Sequence, residues 1–130
     1  MKNKIVIITN KLPIIILIRS IRRSKIMQTF NEQDAKDYIS EHERVVIYVT
    51  TPFCGVCQSV KPLIGILAEA MEDVRFGEIN LNLTPDLAKR YQISGAPTLL
   101  QFTYGELVQR VENFQNITQL YTTLERGFLK

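Results

Sequence analysis

From Cys54 onward, Val56, Val60, Leu63, Ile64, Leu67 and Met71 recur at helical spacing, which predicts an amphipathic helix with one buried stripe. Pro62 falls inside that helix and is expected to kink it. The run before it, RVVIYVT at residues 44–50, is β-branched and aromatic without polar alternation, as a central strand covered on both faces should be. VRFGEINLNL at 74–83 is a second strand, and APTLLQFTYGELVQRVE at 96–112 reads as two strands turned at Tyr104-Gly105, an antiparallel hairpin. Helices are predicted in three further places. In FNEQDAKDYISEHE, Asn31 is the N-cap and Asp34 suits the positive end of a helix running to about Glu43. TPDLAKRYQI starts a short helix with Thr84 as cap and Pro85 at its first position. Ile117, Leu120, Tyr121, Leu124 and Phe128 form the apolar face of a last helix capped by Asn116. With extended chain near Ile26 to Phe30 adding an edge strand, the class is α/β: a mixed sheet of four to five strands, parallel first and antiparallel at its end, with helices on both faces.

Composition adds that this pattern should fold as one domain. Hydrophobic residues make up 45% of the chain and charged residues 22%, which is neither disordered nor low-complexity. The net charge of +3 hides a division. Residues 1–26 hold Lys2, Lys4, Lys11, Arg19, Arg22, Arg23 and Lys25 with no acid, leaving nine basic residues against all 13 acids in the remainder, a net −4. An acidic domain with no basic stripe is not expected to bind nucleic acid. The apolar run IVIITNKLPIIILI within the first 26 residues is interrupted by Asn10, Lys11 and Pro13 and is shorter than the ~20 residues that span a bilayer. RSIRRSK follows it in place of a cleavage site, so neither stable membrane insertion nor secretion is expected. The favoured reading takes residues 1–26 as an extension upstream of a domain at 27–130; the alternative is a membrane-surface anchor.

Both cysteines stand in TTPFCGVCQ, residues 50–58, where the central strand stops and the helix stripe begins. Cys54 is therefore expected at a helix N-terminus, where free backbone N–H groups and the dipole stabilise an anion and can bring a thiol from ~8.5 to ~7 or lower. Cys57 follows one turn later, with Gly55 expected to let the backbone turn tightly between them. A structural zinc site needs four ligands, and the chain adds only His42, read as a solvated residue near the end of the first helix. A structural disulfide would close too short a loop to constrain the unfolded chain much. Two unrelated buried thiols remain an open reading, and the strand-to-helix placement favours a redox couple.

With the pair so placed, residues 27–130 resemble the thioredoxin family. FCGVC resembles its active-site motif, Pro62 its helix-kinking proline, SGAPTLL the segment whose proline is cis, and YGE its hairpin turn. The resemblance implies a thioredoxin-like fold and protein thiol–disulfide exchange, with Cys54 the nucleophile and Cys57 the resolving thiol. It implies no bound cofactor beyond the Cys54–Cys57 redox couple. It also implies protein disulfides as substrates, a recycling enzyme like thioredoxin reductase, and a monomer working as a cytoplasmic reductant. Phe53, Gly55, Val56, Gly95, Ala96 and Pro97 are the implied substrate contacts. The chain departs from the family pattern at several places. Val56 stands for the usual proline, Thr50 and Phe53 occupy tryptophan positions, and Tyr48 and Glu78 replace a buried aspartate and a lysine. Glu78 is accordingly the candidate proton acceptor for Cys57, with burial expected to bring its carboxyl toward neutrality; the alternative is a solvated strand-end residue. Two further readings stay open: a glutaredoxin-like enzyme using a low-molecular-weight thiol, and a non-catalytic binding module.

Overall fold

The computed structural model describes residues 27–114 and 116–129, so the extension at 1–26 lies outside the described residues. The elements run β1 (Gln28–Phe30), α1 (Glu32–Glu41), β2 (Arg44–Thr50), α2 (Gly55–Ala70), β3 (Arg75–Asn80), a 3-10 turn (Leu81–Leu83), α3 (Pro85–Arg90), β4 (Thr98–Thr103), β5 (Glu106–Val111) and α4 (Ile117–Phe128). The five strands form one sheet in the order β1-β3-β2-β4-β5. β1 and β2 flank β3 in parallel, while β4 runs antiparallel to both β2 and β5.

The unbroken apolar run of β2 is explained by what covers it. On one face Val46 and Tyr48 pack with Val60, Ile64 and Leu67 of α2 and with Leu120 and Leu124 of α4. On the other, Val45, Ile47 and Val49 pack with Ala35 and Ile39 of α1 and with Leu87 of α3. A strand with a core on each face has no position for an outward polar residue. The same two-faced burial aligns β2 and β3 residue by residue, and the register sets Tyr48 opposite Glu78 and Thr50 opposite Asn80.

Several local expectations need correction. Thr84 does not cap α3 with its side chain; its hydroxyl donates to the Asn80 carbonyl at 3.0 Å. Glu32 of α1 instead accepts the Leu87 N–H at 2.8 Å, tying the two helices together. The strand expected through Leu83 stops at Asn80, whose side-chain oxygen accepts the Asn82 N–H at 2.9 Å and turns the chain. His42 is half-buried against the Tyr38 ring, with Nδ1 3.0 Å from the Tyr38 carbonyl. Pro62 does lie inside α2, as its spacing predicts, and its missing N–H removes a helical partner from the carbonyl of Gln58, an exposed residue.

Candidate active site

β2 ends at Thr50 and delivers the chain to Cys54, the N-cap of α2. The Cys54 sulfur accepts the Cys57 backbone N–H at 3.0 Å, so an orphan donor of the helix start is aimed at it. In the reduced protein that donor favours the thiolate of Cys54. The two cysteines are disulfide-bonded with their Cα atoms 5.2 Å apart. They are not equivalent: Cys54 is half-buried and Cys57 is 1% exposed. Gly55 is the first residue of α2, its φ lies outside the left-handed region, and a Cβ there would meet nothing within 4 Å. The tight turn expected of it is therefore not what a glycine is needed for.

The loop before β4 closes the site from the other side. The Ala96–Pro97 peptide bond is cis, and the Ala96 carbonyl oxygen lies 3.9 Å from the Cys54 sulfur. Thr98 donates its hydroxyl to the Gly95 carbonyl at 2.8 Å, which pins the loop to the first residue of β4. Around the sulfur the apolar side chains are open: Phe53 is 101% exposed and Val56 59%. Core packing is thereby excluded for Phe53. Val56, placed by its spacing in the buried stripe, lies outside the core because the inward-facing residue of the first turn of α2 is Cys57, which leaves Val56 on the open side.

Beneath the helix start lies a polar floor. Tyr48 is fully buried and donates its hydroxyl to the Cys57 carbonyl at 2.8 Å. Desolvation, and secondarily the Glu78 charge, push its phenol up to about 12. Glu78 is only 12% exposed, so it is not a solvated strand-end residue. Its Oε2 accepts the Thr50 hydroxyl at 3.2 Å, and Lys61 Nζ stands 3.1 Å from its Oε1. Burial was expected at Glu78; the cation that accompanies it was not. Lys61 is the floor residue the sequence reading missed, and Thr50, singled out only as standing at a tryptophan position, turns out to contact Glu78. The signal was present: Lys61 is one helical turn beyond Cys57, and strand parity places Glu78 on the Tyr48 face.

Among the described residues no group of three or more His, Cys, Asp or Glu side chains could hold a metal ion, and no helix is long and apolar enough to cross a membrane. A family model described as Thioredoxin matches residues 25–126. The chain belongs to the thioredoxin family. Thioredoxin-like protein YusE of Bacillus subtilis (strain 168) is 35% identical over 86 residues, 66% of this chain and 81% of that protein. Thioredoxin-like protein YdfQ of the same organism is 30% identical over 93 residues, 72% and 83% of the two chains. A mutant thioredoxin from Halobacterium salinarum NRC-1 superimposes with a TM-score of 0.71 at 26% identity, over 81% of this chain and 92% of that one. Mitochondrial thioredoxin 3 from Saccharomyces cerevisiae, in its oxidized form, gives 0.69 at 25% identity, over 77% and 94%. With its paired cysteines at a helix start, this thioredoxin-family chain is a thiol–disulfide oxidoreductase.

Proposed function

We propose that the chain reduces disulfides in protein substrates, with Cys54 as nucleophile and Cys57 as resolving thiol. The reading rests on the asymmetry of the pair: Cys54 lies at the solvent-facing helix start with an N–H on its sulfur, and Cys57 is buried one turn behind. The Cys54 thiolate attacks one sulfur of the substrate disulfide, and the other sulfur leaves as a thiolate. Cys57 then loses its proton to Glu78 by way of water, attacks the Cys54 sulfur, and releases the second substrate thiol. The product is the Cys54–Cys57 disulfide, and two electrons from a reductase of the thioredoxin-reductase class restore the dithiol. Phe53, Val56 and the backbone at Gly55, Gly95, Ala96 and Pro97 form the contact surface for the substrate segment. The confinement of cysteine to this pair fits a cytoplasmic monomer working as a reductant.

Residues 27–130 carry this function without the basic extension, since Met27 already packs on the core beneath α2 and α4. A chain starting at Met27 should match the melting temperature and reductase activity of the full one. The activity itself is tested by comparing insulin with a small glutathione-type mixed disulfide as substrate. Faster turnover of insulin with a reductase as electron source is the expected result. Turnover confined to the small disulfide and dependent on a low-molecular-weight thiol would point to glutaredoxin-like chemistry instead.

A further inference from the structure

Between α3 and β4 the chain passes through the left-handed region. Gln92 has a φ of 52°, a conformation that favours glycine because a side chain there crowds the backbone. The hydrogen bonds around it are those of a Schellman helix end: the Gln92 N–H donates to the Lys89 carbonyl at 3.3 Å and the Ile93 N–H to the Ala88 carbonyl at 2.8 Å. Glycine is the usual residue at such a position, so with glutamine another interaction has to favour the turn.

Arg110, on β5, donates from Nη1 to the Gln92 carbonyl at 3.2 Å and from Nη2 to the Tyr91 carbonyl. Those carbonyls belong to the two peptide units on either side of the Gln92 Cα, and the angle between these rigid units is what φ and ψ of Gln92 describe. A planar guanidinium that holds both therefore fixes the left-handed turn. The register explains the reach: Arg110 pairs with Leu100 of β4, which packs in the same core as Leu87 of α3 and Ile93. Beyond the turn Ile93 is buried, Ser94 and Gly95 are exposed, and the Ala96 carbonyl arrives beside the Cys54 sulfur. The Thr98 hydroxyl on the Gly95 carbonyl holds the far end.

We propose that Arg110 is a positioning residue for substrate binding: by clamping the carbonyls on both sides of Gln92 it sets the direction in which residues 93–97 leave α3, and so holds the Gly95 and Ala96 backbone ready for a protein substrate segment. This rests on the reading of Gly95, Ala96 and Pro97 as substrate contacts. Arg110 is exposed and lies on the edge strand β5, so its loss should loosen the loop without opening the core. The consequence falls on substrates long enough to lie along the loop.

The test measures turnover of insulin and of a small aromatic disulfide by the full chain, with a small dithiol as reductant and the melting temperature followed alongside. The proteins compared are wild type, Arg110→Met, Arg110→Lys, Gln92→Gly, Arg110→Met/Gln92→Gly and Gly95→Val. Arg110→Met should raise KM for insulin roughly fivefold at an unchanged kcat, and turn over the small disulfide at the wild-type rate. Arg110→Lys, which presents a single point donor, should show most of that loss. Adding Gln92→Gly to Arg110→Met should bring KM back to within about twofold of wild type, since glycine takes the turn without the clamp. A lower melting temperature with both substrates unaffected, full recovery in Arg110→Lys, or a double variant as impaired as Arg110→Met overturns the role of Arg110. Gly95→Val separates that failure from failure of the contact surface: a Cβ at Gly95 meets nothing within 4 Å, so the side chain fits the fold and stands in the way of a substrate segment. An unchanged KM for insulin in Gly95→Val removes the loop from the contact surface, and the role of Arg110 with it. A raised KM there keeps the surface in place even if Arg110→Met behaves as wild type.

Discussion

The site has a rim and a floor, and they relate to the family pattern in different ways. The rim is made largely of backbone: the helix start at Cys54, the Cys57 N–H on its sulfur, and the Ala96 carbonyl 3.9 Å away. Replacing the usual tryptophan and proline by Phe53 and Val56 alters what coats that rim and leaves its frame intact, since both side chains are exposed. The floor is made of side chains, and there the family's arrangement is rebuilt. The carboxylate has moved to β3 as Glu78, the cation comes from α2 as Lys61, and the aspartate position on β2 holds Tyr48, which ties down the Cys57 carbonyl. A backbone-built rim tolerates substitution because its geometry belongs to the fold. A side-chain-built floor has to be replaced as a set, because a single buried charge left behind would be uncompensated.

The largest effect that can separate the two layers is at the cysteines. Cys57→Ser should abolish turnover and accumulate a mixed disulfide between Cys54 and the substrate, visible by mass spectrometry of the intact complex. Cys54→Ser should abolish turnover without any adduct. Alkylation of the reduced protein at neutral pH should mark Cys54 before Cys57. The reverse order would make the buried thiol the nucleophile and erase the distinction between rim and floor.

A smaller effect is expected from Tyr48→Phe. The hydroxyl is lost from the Cys57 carbonyl, which keeps its helical donor within α2, so the cost is that of one hydrogen bond, about 0.5–1.5 kcal/mol of stability by chemical denaturation. The phenol also gives this cost a pH signature. Its folded value, about 12, lies above the ordinary 10.0, so the unfolded chain releases the proton first. The stabilisation is complete below about pH 10 and is lost as pH rises toward about 12. Wild type should therefore weaken more steeply than Tyr48→Phe across that window. A shallower slope remains in the variant because Tyr38 is also raised, by its own desolvation. Identical slopes in the two proteins would mean that Tyr48 is not the sealed donor described above.

The rim was legible in the sequence and the floor only half so, for a physical reason. β2 and α4 fall where their patterns and caps put them, at Arg44–Thr50 and Ile117–Phe128, because burial on two faces and a capping Asn116 each leave a local signature. The cysteine pair is legible because the strand-to-helix junction is itself a local feature. Tyr48 and Glu78 could be singled out as departures, yet their partners depend on register and on helix rotation. Lys61 looks like any polar residue off the apolar stripe, and only its place over β3 gives it a partner 17 positions away. The same holds for Gln101, fully buried in β4 with its amide donating to the Leu124 carbonyl at 2.9 Å. Nothing in its neighbours announces that α4 will pack there.

The smallest expected effect tests whether the rim is purely a contact surface. Phe53 projects fully into solvent and packs on no core, so Phe53→Ala should change stability by less than about 0.5 kcal/mol. A ring that bears on a bound substrate segment buries apolar area only in the complex. Losing about 1 kcal/mol of that contact would raise KM for a protein disulfide roughly fivefold. The resolving step should keep its rate and pH profile, because Phe53 touches neither Tyr48, Glu78 nor Lys61 in the contacts that build the floor. A changed profile in Phe53→Ala would show that the coat of the rim reaches the proton chemistry beneath it. An unchanged KM across several protein substrates would take Phe53 out of the contact surface and leave recognition to Val56 and the backbone beside Cys54.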